Sequence, residues 1–292
     1  MSERPMSERS SVRQPDFAGS WYPGNERECR RAFEEFERSS VARKDVLEPR
    51  GGIVPHAGWI FSGRLAYNVV RELAGRAEPP DTVLLFGGHL RPSSPLTVLG
   101  AGEFWTPLGG IRIDDELAAA LQLAATVRVQ DPLHHSPDNT VELQAPLIKH
   151  FFPEARLLVV EAPPREETLE LCEQLVAVAG DLGRRVVAIG STDLTHYGPN
   201  YGFSPRGSGR AAETWVRDEN DRRFVDLALA LEPGAMIAEA LQSHNACCPG
   251  AAAAAARCAR VLGATAGELL AYATSGDIRP DDSFVGYAAI IF

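Results

Sequence analysis

Four short segments of the chain each place a metal- or proton-handling side chain where an apolar run or a helix gives way to a turn. The first, GGIVPHAGW (51–59), is an apolar run that stops on His56 and continues into Ala57 and Gly58, small residues that leave the imidazole uncrowded. The second, DTVLLFGG (81–88), ends in two glycines directly before His89. The third, RRVVAIGSTDLTHYG (184–198), runs into Asp193 and brings His196 three residues later. The fourth, SHNACCPG (243–250), supplies His244 and the adjacent thiols of Cys247 and Cys248 ahead of an alanine-rich stretch.

Each feature alone has an ordinary explanation. A single histidine at a strand end is more often a hydrogen-bonded structural residue than a ligand. Asp193 could cap a helix, and a buried cysteine packs as a small hydrophobe. Four such turns in one chain with only seven histidines favour a metal site instead. Two imidazoles and one anionic ligand with open positions suit non-haem ferrous iron, and two imidazoles with a thiolate also hold zinc or copper. The chain contains no CxxC, HExxH or GxSxG motif and no phosphate or dinucleotide loop. A zinc ribbon, a zincin, a nucleophile-elbow hydrolase and a nucleotide-binding fold therefore lack support.

The elements around these turns must bring them together. RGGIV (50–54), the helical pattern of FSGRLAYNVVRELAG (61–75) with Leu65, Val69 and Leu73 on one face, and DTVLLFGG form a strand–helix–strand unit. Such units have parallel strands and a right-handed crossover. Further strands are expected at 95–102, 155–162 and 184–193, with closing strands at 271–277 and 283–292. Helices are expected at 114–125, 138–152 (begun by Asp138 or Asn139 as cap), 166–182, about 208–231 and 233–243, then in the alanine-rich stretch. The strands ending at Val54, Gly88 and Ser191 should be neighbours or near-neighbours, because ligands of open α/β sheets sit outside the carboxyl ends of the strands. The pattern gives one α/β domain over residues 16–292, with a mainly parallel central sheet flanked by helices, after a polar tail at 1–15 expected to be disordered.

Composition bounds the function. With 45% hydrophobic and 23% charged residues the chain is an ordinary globular protein. A net charge of -10 argues against nucleic acid, whose phosphates need a basic surface. There is no apolar run near membrane-spanning length, and the N-terminus MSERPMSERSSVRQP lacks the apolar core of a secretion signal. Five cysteines without framework spacing suit reduced thiols in a cytoplasm.

Taken in order, AGSWYPG (18–24), VPHAG (54–58), the GGH ending at His89, VELQAPL (141–147), STDLTHYG (191–198), HNACC (244–248) and DDSFVGYAA (281–289) resemble the MEMO family. In bacteria and archaea that family is also the B component of the AMMECR/MEMO/radical-SAM gene set. The resemblance runs from about Asp16 to Phe292, nearly the whole chain. It implies a fold similar to class III extradiol dioxygenases, which hold ferrous iron with two histidines and a carboxylate and use another histidine as acid/base. In MEMO-like proteins a cysteine stands where that carboxylate would be. Carried onto matching positions, the resemblance makes His56 and His89 the imidazole ligands. The cysteine of the H-N-x-x-C pattern falls on Cys248, with Cys247 the adjacent competitor. Asp193 and His196 match the S-D-x-x-H segment beside the metal, with His196 as the acid/base.

The chain departs from the family's E-H-S-x-E-x-Q-L-P segment. Glu142 and Gln144 match, but Asn139 stands in place of the histidine, and His134 or His135 could enter the cleft instead. Glu142, His244, Asn139 and His135 are accordingly expected at the substrate. The implied activity is that of an iron-dependent, dioxygenase-like oxidoreductase on a small organic molecule, with zinc or copper as alternative metals. AMMECR-like and radical-SAM proteins are the implied partners. The competing expectations are a non-catalytic metal- or peptide-binding module and a zinc hydrolase using His196 or Glu142 as base.

Overall fold

The three apolar runs that end on His56, His89 and Asp193 lie side by side. A computed structural model describes residues 12–40, 48–131 and 135–292. The chain starts with β1 (Val12–Arg13) and α1 (Glu26–Arg38), then enters the first crossover unit: β2 (Gly51–Val54), α2 (Trp59–Ala74) and β3 (Thr82–Gly87). Next come β4 (Thr97–Leu99), the hairpin β5 (Glu103–Thr106) and β6 (Gly109–Arg112), α3 (Asp115–Ala124) and β7 (Arg128–Gln130). The middle of the chain forms α4 (Asn139–Glu142), α5 (Ala145–Phe151), β8 (Arg156–Glu161), α6 (Glu166–Asp181), β9 (Val186–Ser191) and β10 (His196–Tyr197). The last part forms α7 (Arg210–Trp215), α8 (Asp221–Leu229), α9 (Pro233–Ser243), α10 (Pro249–Val261), β11 (Glu268–Thr274) and β12 (Phe284–Ile291).

The main sheet runs β10-β12-β2-β9-β3-β8-β4-β7, with β11 paired to the other side of β12. Its centre, β2-β9-β3-β8, is parallel. Both flanks turn antiparallel, at β12 beside β2 and at β4 beside β8. The sheet is therefore mixed: the parallel character expected from the crossover units holds in the middle and returns in the edge pair β4–β7. Those middle strands are buried on both faces, which is why they read as continuous apolar runs rather than alternating ones. Val54 lies opposite Ser191, and Phe86 opposite Gly190, so the carboxyl ends of β2, β9 and β3 come out level.

Helices cover both faces. Leu117 of α3, Leu171 of α6, Met236 of α9 and the alanines of α10 fill one core. Phe33 of α1, Leu65 and Val69 of α2 and Leu147 of α5 fill the other. The alanine-rich α10 lies directly on β9, where a Cβ on Gly190 would collide with the Ala251 carbonyl. Small residues on both partners thus let a helix backbone approach a strand closely. That contact brings the N-terminus of α10, and the two cysteines before it, down to the ends of the strands.

Three expectations change in detail. The helix expected over 138–152 is two helices separated at Leu143 and Gln144. Asp138 is the first cap, its Oδ1 accepting the Thr140 N–H at 2.9 Å, and Pro146 sits in the first turn of α5, where its missing N–H costs nothing. The helix expected over 208–231 is α7 and α8 joined by a π-turn at Val216–Asn220. The β5–β6 hairpin, which no strong alternation announces, pairs with β1 in a separate three-stranded sheet. Val12 and Arg13 fall within the segment expected as a tail and pair in parallel with Glu103 and Phe104. Residues 1–11 of that segment lie outside the described residues. Among the described residues, no helix is long and apolar enough to cross a membrane.

Candidate metal centre

β2 delivers His56 two residues past its end, and the surrounding strand ends hold it from several sides. The His56 N–H donates to Asp193 Oδ1 at 2.7 Å, and Asn139 Nδ2 donates to the His56 carbonyl at 3.0 Å. In the ring, Nδ1 lies 3.0 Å from Ser191 Oγ, which leaves Nε2 facing Cys247 Sγ at 3.3 Å. Past β3, Gly88 takes a left-handed φ of 98° and donates its N–H to Thr140 Oγ1, a turn open to glycine that swings His89 over the sheet end. The His56 and His89 rings are 5.0 Å apart and nearly perpendicular.

His56, His89, Cys247 and Cys248 each present a ligand atom, all within 4.8 Å of one another. Donors at bond lengths of about 2.0–2.3 Å around one tetrahedral ion lie roughly 3.3–3.8 Å apart. The 3.3 Å between His56 Nε2 and Cys247 Sγ and the 3.7 Å between the two sulfurs match such edges. The mixed nitrogen and sulfur donors suit iron, zinc or copper.

The two cysteines are not equivalent. Cys247 lines a cavity, accepts the Asp193 N–H at 3.3 Å and faces His56. Cys248 is 2% exposed, caps α10 and donates its N–H to Thr192 Oγ1 at 3.0 Å. The cleft-facing thiol is thus one residue earlier than the H-N-x-x-C pattern indicated, with Cys248 packed behind it.

Electrostatics separates the pair further. Burial pushes the Cys247 thiol up, but the hydrogen bond with Cys248, the charge of His56 and hydrogen bonds with both histidines outweigh it, and hold the thiol well below its ordinary range. Burial and the neighbouring Cys247 push Cys248 well above it. Burial also pulls His56 down, yet Asp193 and Cys247 overcome this and raise the imidazole to about 9. Asp193 is itself raised by burial, against the opposing pull of His56. Both shifts favour the charged forms, thiolate on Cys247 and imidazolium on His56.

His196, on β10, lies beside this group rather than in it. Its Nδ1 is 3.1 Å from the Leu194 carbonyl, and its ring meets Tyr201 edge-on at 5.0 Å. It helps wall two adjoining cavities, of about 650 Å³ and about 750 Å³, which also share His89 and Tyr201. His244, a left-handed C-cap of α9, lines the first cavity, and Asn139 and Asp193 line the second.

Two residues expected at the substrate are elsewhere. Glu142 lines neither of these cavities. It is fully buried and accepts the Asp16 and Phe17 N–H groups at 2.8 and 2.7 Å and the Tyr22 hydroxyl at 3.0 Å. It anchors the AGSWYPG loop. His135 also lines neither cavity, its Nε2 lying 3.0 Å from Asp16 Oδ2, and His134 lies outside the described residues. Sequence reasoning missed Ser191 as the partner of His56, although it stands at the end of the third apolar run. It also missed Tyr201 and Arg279, which line the cavities from loops with no periodic signal.

The family described as Memo-like protein matches residues 13–291 of the chain. Among curated proteins, the chain is similar to a MEMO1 family protein of Thermococcus onnurineus, at 35% identity over 96% of this chain and 99% of that one. A MEMO1 family protein of Methanopyrus kandleri is 33% identical over 96% and 98% of the two chains. One from Pyrococcus abyssi is 32% identical over 96% and 99%.

Proposed function

The chain belongs to the Memo-like protein family, and from that premise we propose that it is a metal-dependent, dioxygenase-like oxidoreductase acting on a small organic molecule. The observation that carries this reading is the convergence of His56, His89 and Cys247 beside a cleft that His196 also lines. Two imidazoles and one thiolate would hold the ion, with ferrous iron as the first assignment. Held there, ferrous iron would supply a redox-active Lewis acid.

The chain's own residues have separate roles. Asp193 fixes His56 through its amide and sets the charge around the ring. Cys248 backs the Cys247 thiolate with its own S–H. His196 handles the proton. A carbonyl only accepts, so the contact with Leu194 places a hydrogen on Nδ1, and in the neutral ring Nε2 then carries the lone pair of a general base.

A second reading is a non-catalytic zinc centre, favoured by the position of Cys248. Its sulfur lies within ligand range of the other three groups and could close a four-coordinate shell. Elemental analysis of anaerobically purified protein, followed by oxygen uptake with candidate small molecules, separates the two. The first reading expects about one iron per chain and oxygen consumption that falls about 10²–10⁴-fold in His196→Gln with metal content unchanged. One zinc per chain with no oxygen uptake would favour the second.

A further inference from the structure

The two cavities that meet at the candidate metal centre both have largely apolar walls and differ in the charged groups they hold. The smaller is walled largely by Leu90, Leu194, Phe203, Ala240 and Leu241, and apart from histidine and Cys247 no ionisable side chain faces it among the described residues except Tyr201. The larger has Trp21, Ile60, Phe61 and Tyr287 beside Ser20, Asn139 and Arg279. His89, His196 and Tyr201 belong to both.

Arg279 is the one Lys or Arg among the described residues of either wall. Its backbone N–H donates to the Ser275 carbonyl at 2.9 Å, which fixes the turn. Its exposed guanidinium has no hydrogen bond or ion pair among the described residues. Two carboxylates share this wall with it. Asp281 accepts the Ser283 N–H at 3.3 Å, and Asp193 is buried and accepts the His56 N–H. Arg279 is thus the one guanidinium or ammonium group that this wall, among the described residues, can offer an anion.

We propose that the cleft takes an elongated amphipathic anion, with a carboxylate at Arg279 and an apolar chain in the Leu90–Leu241 arm. The bonds between the two ends would then lie against His89 and His196. This rests on the reading of the cleft as a small-molecule site. It adds the substrate's shape and charge, and puts the reacting position in the interior of the molecule rather than at an end.

Binding of octanoate, propionate and 1-octanol, measured by titration calorimetry on the protein as purified and after chelation, tests this. Each fully buried methylene is worth about fourfold in affinity, so octanoate should bind at least about 100-fold more tightly than propionate. Arg279→Gln should weaken octanoate about three- to fivefold, the upper end of what an exposed ion pair contributes, and leave 1-octanol within twofold. Leu241→Asp should weaken octanoate and 1-octanol together. Both substitutions are at exposed positions, and an unchanged thermal midpoint verifies the fold. Octanoate binding no tighter than propionate would overturn the proposal, as would Arg279→Gln affecting octanoate and 1-octanol alike. Binding is read without turnover and also without metal. Failure of the oxygen chemistry therefore leaves this result standing, and failure to bind the amphiphile leaves the metal analysis untouched.

Discussion

Glu142 and Asp193 are both buried carboxylates in segments that look like site motifs, yet they occupy opposite kinds of environment. Glu142 is surrounded by fixed donors, two amides and one phenol, all from the loop at 16–22. Asp193 accepts one amide, and its second oxygen lies 3.9 Å from the Nε2 of a titratable histidine. A carboxylate saturated by donors from one loop ties two parts of the chain together. A carboxylate beside an imidazole and a thiolate, on the wall of a cavity, instead sets where protons sit. Acid residues of equal burial can therefore hold a fold or tune a centre, and the partners decide which.

The largest effect expected from this contrast is on the centre itself. His56→Ala removes a ligand without opening a core, so metal content should fall from about one ion per chain to under about a tenth, with far-UV circular dichroism unchanged. Full metal content in that variant would remove His56 from the ligand set.

Glu142→Ala should do the reverse. It leaves two part-buried amides and a buried phenol without their acceptor, at a cost of about 1–3 kcal/mol, so denaturant unfolding should shift while metal content per folded chain stays normal. A variant as stable as the parent but poor in metal would return Glu142 to the site.

The smallest effect is a pH dependence. His56, raised to about 9, keeps its proton below that pH when no ion is bound, and ligation requires the neutral ring. The Cys247 thiol is already held well below its ordinary range. Ion uptake near pH 7 should therefore release about one proton, and apparent affinity should rise about tenfold per pH unit until about pH 9. Asp193→Asn removes the charge that raises His56, so the rise should level off at lower pH. An unchanged profile in Asp193→Asn would mean that Asp193 does not control the ring.

Much of this centre was legible in the sequence, because an apolar run that stops on histidine states both a buried strand and the residue at its carboxyl end. His56 and His89 are found that way, His196 only as a residue that follows Asp193 at the end of the third run, and the adjacency of β2, β9 and β3 follows from the crossover units. The choice between Cys247 and Cys248 was not legible. Two adjacent cysteines are chemically identical in a sequence, and the one that faces the cleft depends on the phase and depth of α10, set by the close contact between Gly190 and Ala251. Glu142 misled for a related reason. Its motif lies next to the residues that wall the cleft, but its side chain points to a loop more than a hundred positions earlier. The antiparallel flanks and the pairing of β1 with the β5–β6 hairpin depend on partners distant in sequence, which local periodicity does not encode.

The central claim is that Cys247 is the thiolate of the centre and Cys248 its hydrogen-bonding support. Metal content of Cys247→Ser and Cys248→Ser, purified anaerobically side by side, tests it most directly. Cys247→Ser should lose the ion, and Cys248→Ser, whose hydroxyl still donates, should keep at least half of it. Loss of the ion in Cys248→Ser with retention in Cys247→Ser would contradict the account.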